Sequence, residues 1–597
     1  MGEKGTDVEL RDFSEQSLPI PELKVTGPEA RHLNTVEIIK SDLHYIRGFH
    51  NAKETLQPAE LVVTGELPTW LNGELFTVGP GIYDVKYNKM IELGNGQYES
   101  GTATFSMGHW FDGLPLLNRF ILDGTNNKII YRSRLIAKKQ EEKIRDRHGI
   151  ITTHPYSLFK THANQTPLAK LMVKRRPTKP EQEPCSASIH VNFPLNVPGE
   201  RPKIFCQNHS TQVVELDAHD LTPTRLWSWN DLNPSFQGVH AGPHSHYDAT
   251  RGELINFNME YHALGTKYNF FMISQKNPKG ELIASVTAKS SYVHSFAVTP
   301  RFIILTLYPF YAKNAGLNVK WVDNIMDAFV FRPEEPTLFY VISRAKKQHV
   351  ATYKSDPCFA FHHINAFEDD DDNIYIDIAS YEDSAITNYL TLESLRQGFL
   401  VDLPLAEIRR FVLTNIQLES IKFTNIPQAT QREVLQNTVA NLFRARPTNV
   451  QGDIHSYPVA NYSRCADSAL ELPRINPRYQ RNRYRYVYGI SFSEKAATNP
   501  GEIWDALIKC DLENKDVVAM WCSDFCYPSE PMFIPVPNID SDEDDGVIVS
   551  VIFNGKEEKS FLLVLEAKEL KEIARVDLPQ VIPLSFGHGA YKETPKE

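Results

Sequence analysis

The feature that most constrains the fold is a long succession of short apolar runs separated by turns. From about residue 60 to near the C-terminus, strand-length stretches rich in β-branched and aromatic residues recur, among them KIIYRSRLI, GELINFNMEYH, NIYIDIASY and GVIVSVIFNG. Asn-Gly and Asp-Gly pairs lie between them, for example at 72–73, 123–124 and 554–555. Helical periodicity is scarce. So many strands must hide their edges, which predicts a large closed all-β fold: a propeller, a barrel or an array of sandwiches. No internal repeat chooses among these three.

Three short segments have the spacing of amphipathic helices, at 392–397, 405–411 and 431–443. The apolar stretch 302–312 (FIILTLYPFYA) is too short to span a bilayer and predicts a buried strand. The acidic runs at 368–372 and 540–545 lack the pattern of a calcium-binding loop and are interpreted as solvated hairpin tips.

Residues 1–57 are polar and show no sustained periodicity. They are predicted to be an N-terminal extension wrapping a folded body, which occupies 58–597. The first residues, MGEKGTDVELRDFSEQ, are too polar and acidic for a signal or transit peptide. Gly2 and Thr6 fit the loose myristoylation pattern, which leaves that modification open.

Charge and cysteine content narrow the class of protein further. The net charge of −11, without a long run of Lys or Arg, argues against a nucleic-acid partner. The seven cysteines are scattered and form no CxxC pair, which is typical of a reduced intracellular protein without structural disulfides or a zinc ribbon. We therefore expect a cytoplasmic protein.

Four histidine-containing segments stand out among the 20 histidines of the chain: AGPHSHYD (241–248), SYVHSFAVTP (291–300), PCFAFHHINAFED (357–369) and LSFGHGAY (584–591). None contains a zinc-binding pattern such as HExxH. Taken singly, each histidine could equally be a core residue that donates to a backbone carbonyl.

Seven motifs, in order along the chain, resemble those of the carotenoid cleavage oxygenases, a family that includes the animal β-carotene oxygenases and retinoid isomerase. They are GELFTVGPGIYD, HWFDGLPLLNRF, SYVHSFAVTPRFIIL, FHHINAFED, ELPRIN, PSEPMFIP and FGHG, between residues 73 and 589. The resemblance implies a seven-bladed β-propeller with a cap of helices and loops over one face.

The resemblance also implies one Fe(II) per chain, held by four histidines without a carboxylate ligand: His244, His294, His362 and His588. The family places an acidic residue four positions after the first ligand. Asp248 supplies it for His244, while His240 and His246 remain alternatives because the usual Ala-His-Pro is missing. Asn365 sets the register that favours His362 over His363.

Glutamates in this family accept the outer N–H of the ligand imidazoles and so fix their tautomer. Glu471 and Glu530 match two such positions. The third position departs from the family pattern, because the segment IFCQNHSTQVVELD puts His209 near it. Either another group orients that ligand or the register slips, with Glu215 as a weak candidate.

The implied activity is cleavage of one conjugated C=C bond of a carotenoid by O₂, giving two carbonyl products. The overall pattern is most similar to fungal members, so the first expectation is torulene cleaved to β-apo-4′-carotenal. The alternatives are β-carotene 15,15′-cleavage to retinal and a retinoid isomerohydrolase. Because carotenoids reside in lipid, we also expect peripheral contact with membranes or lipid droplets, although no segment is long and apolar enough to span one.

Overall fold

The computed structural model describes residues 43–594, with gaps at 95, 148–176, 197–198, 263–264, 314–324, 399, 401, 425–455 and 500. The predictions for Gly2, for residues 1–42 of the extension and for a helix over 431–443 lie outside the described residues. Residues 43–57 belong to the same compact unit as the rest of the described chain. The boundary at residue 57 stays a prediction. Within the described ranges, no helix is long and apolar enough to cross a bilayer.

Seven antiparallel sheets form the blades of a β-propeller, as the motif resemblance implied. Blade 1 consists of Ala59–Leu61, Asn72–Ile82, Leu114–Asp123, Lys128–Leu135 and Ala590–Glu593; blade 2 of Ser188–His190, Lys203–Gln207, Gln212–Asp217 and Pro223–Ser228. Blade 3 consists of His240–Ala241, His246–Asp248, Glu253–His262, Gly265–Ser274 and Glu281–Ala288; blade 4 of Ala297–Val298, Phe302–Leu307, Thr337–Ser343 and Gln348–Ser355. Blade 5 consists of His363–Glu368, Ile374–Ser380, Glu407–Leu413 and Asn461–Ala469; blade 6 of Glu471–Arg474, Tyr486–Ser491, Ala506–Asp511 and Asp516–Cys522. Blade 7 consists of Thr64–Gly65, Cys526–Pro528, Met532–Pro535, Gly546–Asn554, Lys559–Glu566 and Lys571–Asp577.

The ring is closed by strands from both ends of the chain. The C-terminal strand Ala590–Glu593 pairs with Asn72–Ile82 in blade 1, from Phe76 opposite Ala590 to Gly73 opposite Glu593. Near the other end of the chain, Thr64–Gly65 pairs with Lys571–Asp577 and forms the outer edge of blade 7. Both ends of the described chain are thereby tied into the ring of blades.

Helices are short and lie in the connections between strands. They are Lys138–Asp146, Trp229–Leu232, Ile325–Ala328, Ile386–Tyr389, Leu392–Gln397, Ile416–Thr424 and Glu494–Thr498, with 3₁₀ turns at His44–Phe49, Trp110–Asp112, Pro180–Gln182 and Pro477–Tyr479. The helix predicted at 392–397 is confirmed: Thr391 caps its N-terminus by accepting from Ser394, and Gly398 ends it at φ 72°. The predicted strand over 302–312 is confirmed as two buried strands, Phe302–Leu307 and Phe310–Ala312.

One sequence-based prediction was wrong, and a second was confirmed only in part. Residues 405–411 are not helical but enter the strand Glu407–Leu413, which is paired on both sides and buries Ile408 and Phe411. Sheet pairing overrides the weak helical spacing there. The acidic runs do lie at turns, but they are not simply solvated: Glu368 and Asp372 both pair with Arg301 of blade 4.

Candidate metal centre

The histidines singled out from the sequence lie at equivalent places in different blades. His294 and His362 come just before the first strands of blades 4 and 5, Ala297–Val298 and His363–Glu368. His588 comes just before the strand Ala590–Glu593, and His244 lies between the two short first strands of blade 3. In a propeller the edge strands that lie next to the axis run side by side, so the residues that precede them meet at one end of the axis.

The four imidazole rings form one cluster. The Nε2 atoms of His244 and His294 are 2.9 Å apart, and the ligand atoms of His244, His294 and His362 all lie within 4.8 Å of one another. The ring of His588 lies 4.4 Å from that of His244 and 4.8 Å from that of His362, measured between centroids. The Nε2 atoms of His362 and His588 are buried without a hydrogen-bond partner. Unpartnered buried imidazole nitrogens that face one another are what a metal ion requires, so the residues fit one.

Glu471 binds the outer nitrogen of His362, on the side of the ring away from the cluster. Its carboxylate accepts from Nδ1 of His362 at 2.7 Å and from the hydroxyl of Tyr381 at 2.7 Å, and it is fully buried. The next residue, Leu472, adopts a left-handed conformation (φ 48°), and its N–H also donates to Glu471. With Nδ1 of His362 bound as a donor, Nε2 is left with its lone pair directed to the cluster.

Glu530 holds His588 in the same way. Its Oε1 is 2.6 Å from Nδ1 of His588 and accepts from Arg474 at 2.7 Å, while Oε2 accepts from the N–H of Gly589. Burial opposes the charge on Glu530, but Arg474 and His588 outweigh it and lower its pKa to about 2. The glycines of the FGHG motif are required by close packing, since a Cβ on Gly587 would lie 2.3 Å from the carbonyl oxygen of Val78.

His294 has a different kind of partner. Its Nδ1 lies 3.0 Å from Nε2 of His209 and 3.1 Å from the hydroxyl of Tyr292, and these two partners are themselves 3.1 Å apart. His209 therefore occupies the place where the sequence departs from the family pattern. The weak candidate Glu215 does not: it lies in the strand Gln212–Asp217 of blade 2 and pairs with Lys203 at 3.3 Å.

The alternative histidines have partners away from the cluster. Nδ1 of His240 contacts the hydroxyl of Tyr261, and Nε2 of His246 is 2.7 Å from the carbonyl oxygen of Phe296. His363 lies between the hydroxyls of Ser295 and Thr306. These contacts are those of core histidines.

Burial keeps the cluster in the state that binds metal. It lowers the pKa of His588 to about 4, an effect that the nearby Glu530 only partly opposes. Burial, reinforced by the neighbouring histidines, also lowers the pKa of His244 and His294 well below the usual value. The imidazoles of His244, His294 and His588 are therefore neutral at neutral pH, as ligation of a divalent ion requires.

Aromatic side chains form a wall beside the histidines, on the face covered by the helices and loops. Phe361 lies 5.5 Å from His294 and Phe586 lies 6.1 Å from His362, between ring centroids. Phe111, from the HWFDG motif, contacts both phenylalanines, and Trp110 packs on Phe586 at 4.8 Å. The motif thus supplies the cap side of an apolar surface next to the cluster.

Three of these partners were missed from the sequence. Tyr292 and Arg474 lie inside quoted motifs. Tyr292 is two residues before His294, so extended spacing could have pointed to it. Arg474 is three residues after Glu471 and contacts Glu530 of another blade, which extended spacing does not indicate. Tyr381 lies outside every motif, and no local pattern identifies it.

Comparisons with known proteins show which family the chain is part of. A profile of the retinal pigment epithelial membrane protein family, RPE65, matches residues 48–593. The chain belongs to this family. The resemblance to the carotenoid cleavage oxygenases that the motifs carry is thereby confirmed.

Relatives within the RPE65 family cover most of the chain. It is 28% identical to the carotenoid dioxygenase of Neurospora crassa, over 91% of this chain and 90% of that protein. It is 28% identical to the human β,β-carotene 15,15′-dioxygenase (88% and 91% covered) and 25% identical to the torulene dioxygenase of Fusarium fujikuroi (91% and 92% covered). The structure of cobalt-substituted Synechocystis apocarotenoid oxygenase superposes with a TM-score of 0.67 at 18% identity, covering 92% of this chain and 98% of that one, and it shares the fold.

Proposed function

We propose that the protein is a carotenoid cleavage dioxygenase whose cluster of His244, His294, His362 and His588 holds one Fe(II). The observation that carries the proposal is the pair of buried, unpartnered Nε2 atoms on His362 and His588 beside an aromatic wall. When bound, Fe(II) would supply the redox chemistry that activates O₂ for cleavage of a conjugated C=C bond into two carbonyl groups.

The chain's own residues prepare the site for that chemistry. Glu471 and Glu530 hold the outer nitrogens of two imidazoles, so that the inner nitrogens keep their lone pairs. The rings of Phe361 and Phe586 exclude water and offer flat surfaces to a polyene, whose rigid chain can then present one double bond to the cluster.

The substrate proposed first is torulene, cleaved to β-apo-4′-carotenal. The similarity to the fungal carotenoid dioxygenase and torulene dioxygenase supports it. β-Carotene cleaved at its 15,15′ bond to retinal is the alternative, which the similarity to the human enzyme supports. A retinoid isomerohydrolase would use a retinyl ester and no O₂, so the same experiment distinguishes it.

We also propose that the protein acts at a lipid surface inside the cell. A two-stranded ribbon, Asp84–Gly94 with Gln97–Ser106, leaves the propeller and exposes four apolar side chains near its end: Met90, Ile91, Leu93 and Tyr98. The carboxylate of Asp84 accepts from Arg396 of a cap helix, so the base of the ribbon adjoins the cap. Apolar side chains at this position suit shallow insertion into a membrane or lipid droplet, from which a carotenoid could be taken.

The test combines metal content with product analysis. The purified protein should contain about one iron per chain and convert torulene to an aldehyde that carries ¹⁸O from ¹⁸O₂, with γ-carotene, β-carotene and all-trans-retinyl ester assayed in parallel. His588→Ala should lose iron and turnover, whereas His349→Ala, at a half-buried histidine in the outer strand of blade 4, should keep both. A metal-free wild-type protein, or an iron-replete and active His588→Ala variant, would refute the proposal.

A further inference from the structure

The outer nitrogens of the clustered histidines are not all held by the same chemistry. His362 and His588 each contact a buried carboxylate. Nδ1 of His294 instead contacts two groups that are uncharged at neutral pH, the imidazole of His209 and the phenol of Tyr292, at 3.0 and 3.1 Å. Among the described residues, no carboxylate makes a hydrogen bond to His294.

The protons of this triangle follow from the distances if Nε2 of His294 binds a metal. A histidine that offers Nε2 to a metal carries its proton on Nδ1, so Nδ1 of His294 must find an acceptor. Nε2 of His209 cannot also carry a proton, because two N–H groups would then face each other at 3.0 Å. The N–H of His294 is directed to Nε2 of His209 at 3.0 Å and to the phenol oxygen at 3.1 Å. The phenol closes the triangle, because its own O–H donates to Nε2 of His209 at 3.1 Å. Every proton of the triangle then has an acceptor.

His209 is held firmly for this task. It lies in the tight connection between Lys203–Gln207 and Gln212–Asp217 of blade 2. The buried carboxylate of Glu183 accepts from the side chains of both neighbours, Asn208 at 3.1 Å and Ser210 at 2.9 Å. The backbone oxygen of His209 accepts from Ala241 of blade 3. These contacts fix the backbone on both sides of His209 and so restrict the position of its side chain.

We propose that His209, assisted by Tyr292, is the positioning residue for His294, and that it replaces a carboxylate by an uncharged acceptor on one side of the metal centre. This inference rests on the proposed function, since it requires a metal on Nε2 of His294. The resulting centre is asymmetric. Glutamates make the imidazoles of His362 and His588 electron-rich, whereas the imidazole of His294 has no carboxylate partner among the described residues. An uncharged partner stabilises Fe(III) less than a carboxylate does, so it raises the Fe(III)/Fe(II) reduction potential.

The experiment measures metal binding and reduction potential in His209→Phe, Tyr292→Phe and His209→Glu. His349→Phe is the control for loss of a half-buried histidine elsewhere. His209→Phe removes the acceptor and should weaken Co(II) and Fe(II) binding about 10- to 100-fold. Tyr292→Phe should weaken it less, because Nε2 of His209 still accepts directly. His209→Glu should restore affinity to within a few-fold of wild type and lower the reduction potential.

The outcomes separate this inference from the proposed function. Wild-type protein that binds neither Co(II) nor Fe(II) overturns the metal centre and this inference together. Wild-type protein that binds metal, with His209→Phe equal to it in affinity and in the visible spectrum of bound Co(II), overturns the positioning role alone. An unchanged reduction potential in His209→Glu overturns the argument that the uncharged partner raises the potential. If His209→Phe does not fold, metal affinity and reduction potential of His209→Glu and Tyr292→Phe test the positioning role in its place.

Discussion

At the scale of single residues, the two glutamates that contact the clustered histidines differ in their second partner. Glu471 is shared by a histidine and the hydroxyl of Tyr381, whereas Glu530 is shared by a histidine and the guanidinium of Arg474. A charged partner makes Glu530 part of a buried ion pair, and removing its charge would leave Arg474 without that pair. The same chemical change should therefore have different side effects at the two positions.

Replacing either glutamate by glutamine should lower metal affinity about 10- to 100-fold. Glutamine keeps the shape and one acceptor oxygen but loses the charge that favours an oriented, electron-rich imidazole. Glu530→Gln should in addition lower the free energy of unfolding, whereas Glu471→Gln should do so less. Glu215→Gln, at a carboxylate that pairs with Lys203 away from the cluster, is the matched control. Iron titration and urea unfolding of the three variants test this, and wild-type affinity in both site variants would contradict it.

At the scale of elements, acidic side chains on turns join neighbouring blades. Asp544, in the turn before Gly546–Asn554 of blade 7, accepts from the buried Nζ of Lys509 in blade 6 at 2.6 Å. Glu543 of the same turn accepts from the backbone N–H groups of Arg485 and Tyr486. The acidic run 540–545 is therefore a clamp between the last two blades, although its composition suggested a solvated tip.

Asp544→Asn should lower the free energy of unfolding by about 3 kcal/mol, because it leaves the ammonium of Lys509 buried without its counter-charge. Asp540→Asn changes an exposed carboxylate in the same run and should cost less than about 0.5 kcal/mol. Urea unfolding of the two variants, followed by tryptophan fluorescence, measures the difference. Equal stability of the two would show that the clamp contributes nothing.

At the scale of the whole molecule, the proposed uptake of a carotenoid would require contact with lipid. The ribbon Asp84–Gly94 with Gln97–Ser106 exposes Met90, Leu93 and Tyr98 by about 60% each. Each CH₂ group buried in lipid contributes about 0.8 kcal/mol, so a few such side chains give reversible attachment. With a net charge of −11, attraction to anionic lipid should add little.

Flotation with phosphatidylcholine liposomes should therefore recover the protein equally at low and high salt. The double substitution Met90→Ser and Leu93→Ser should reduce recovery several-fold. Ile539→Ser, at an isoleucine that is 83% exposed beside the acidic run, should not reduce it. Release by salt alone, or full flotation of the double variant, would exclude the ribbon as the lipid contact.

Much of the architecture could be predicted from local patterns. Alternation and turn pairs predicted strands, because a side chain's burial in a sheet repeats every second residue. Motif order located the six residues His244, His294, His362, His588, Glu471 and Glu530, and the structure brings all six together. The strand Glu407–Leu413 shows the limit of such patterns, since its short apolar spacing fits a helix as well, and pairing with strands on both sides decides the outcome.

The sequence by itself determined the strand-rich class and the identity of the clustered histidines, because local spacing indicates the first and short motifs indicate the second. Only the tertiary structure decided how the ring closes and that His209 and Tyr292 contact the outer nitrogen of His294. Ala590–Glu593 pairs with Asn72–Ile82 from the opposite end of the chain, and the proton on Nδ1 of His294 meets His209 from another blade. Hydrogen bonds between segments so far apart depend on where the blades place them, and no window of sequence contains that information.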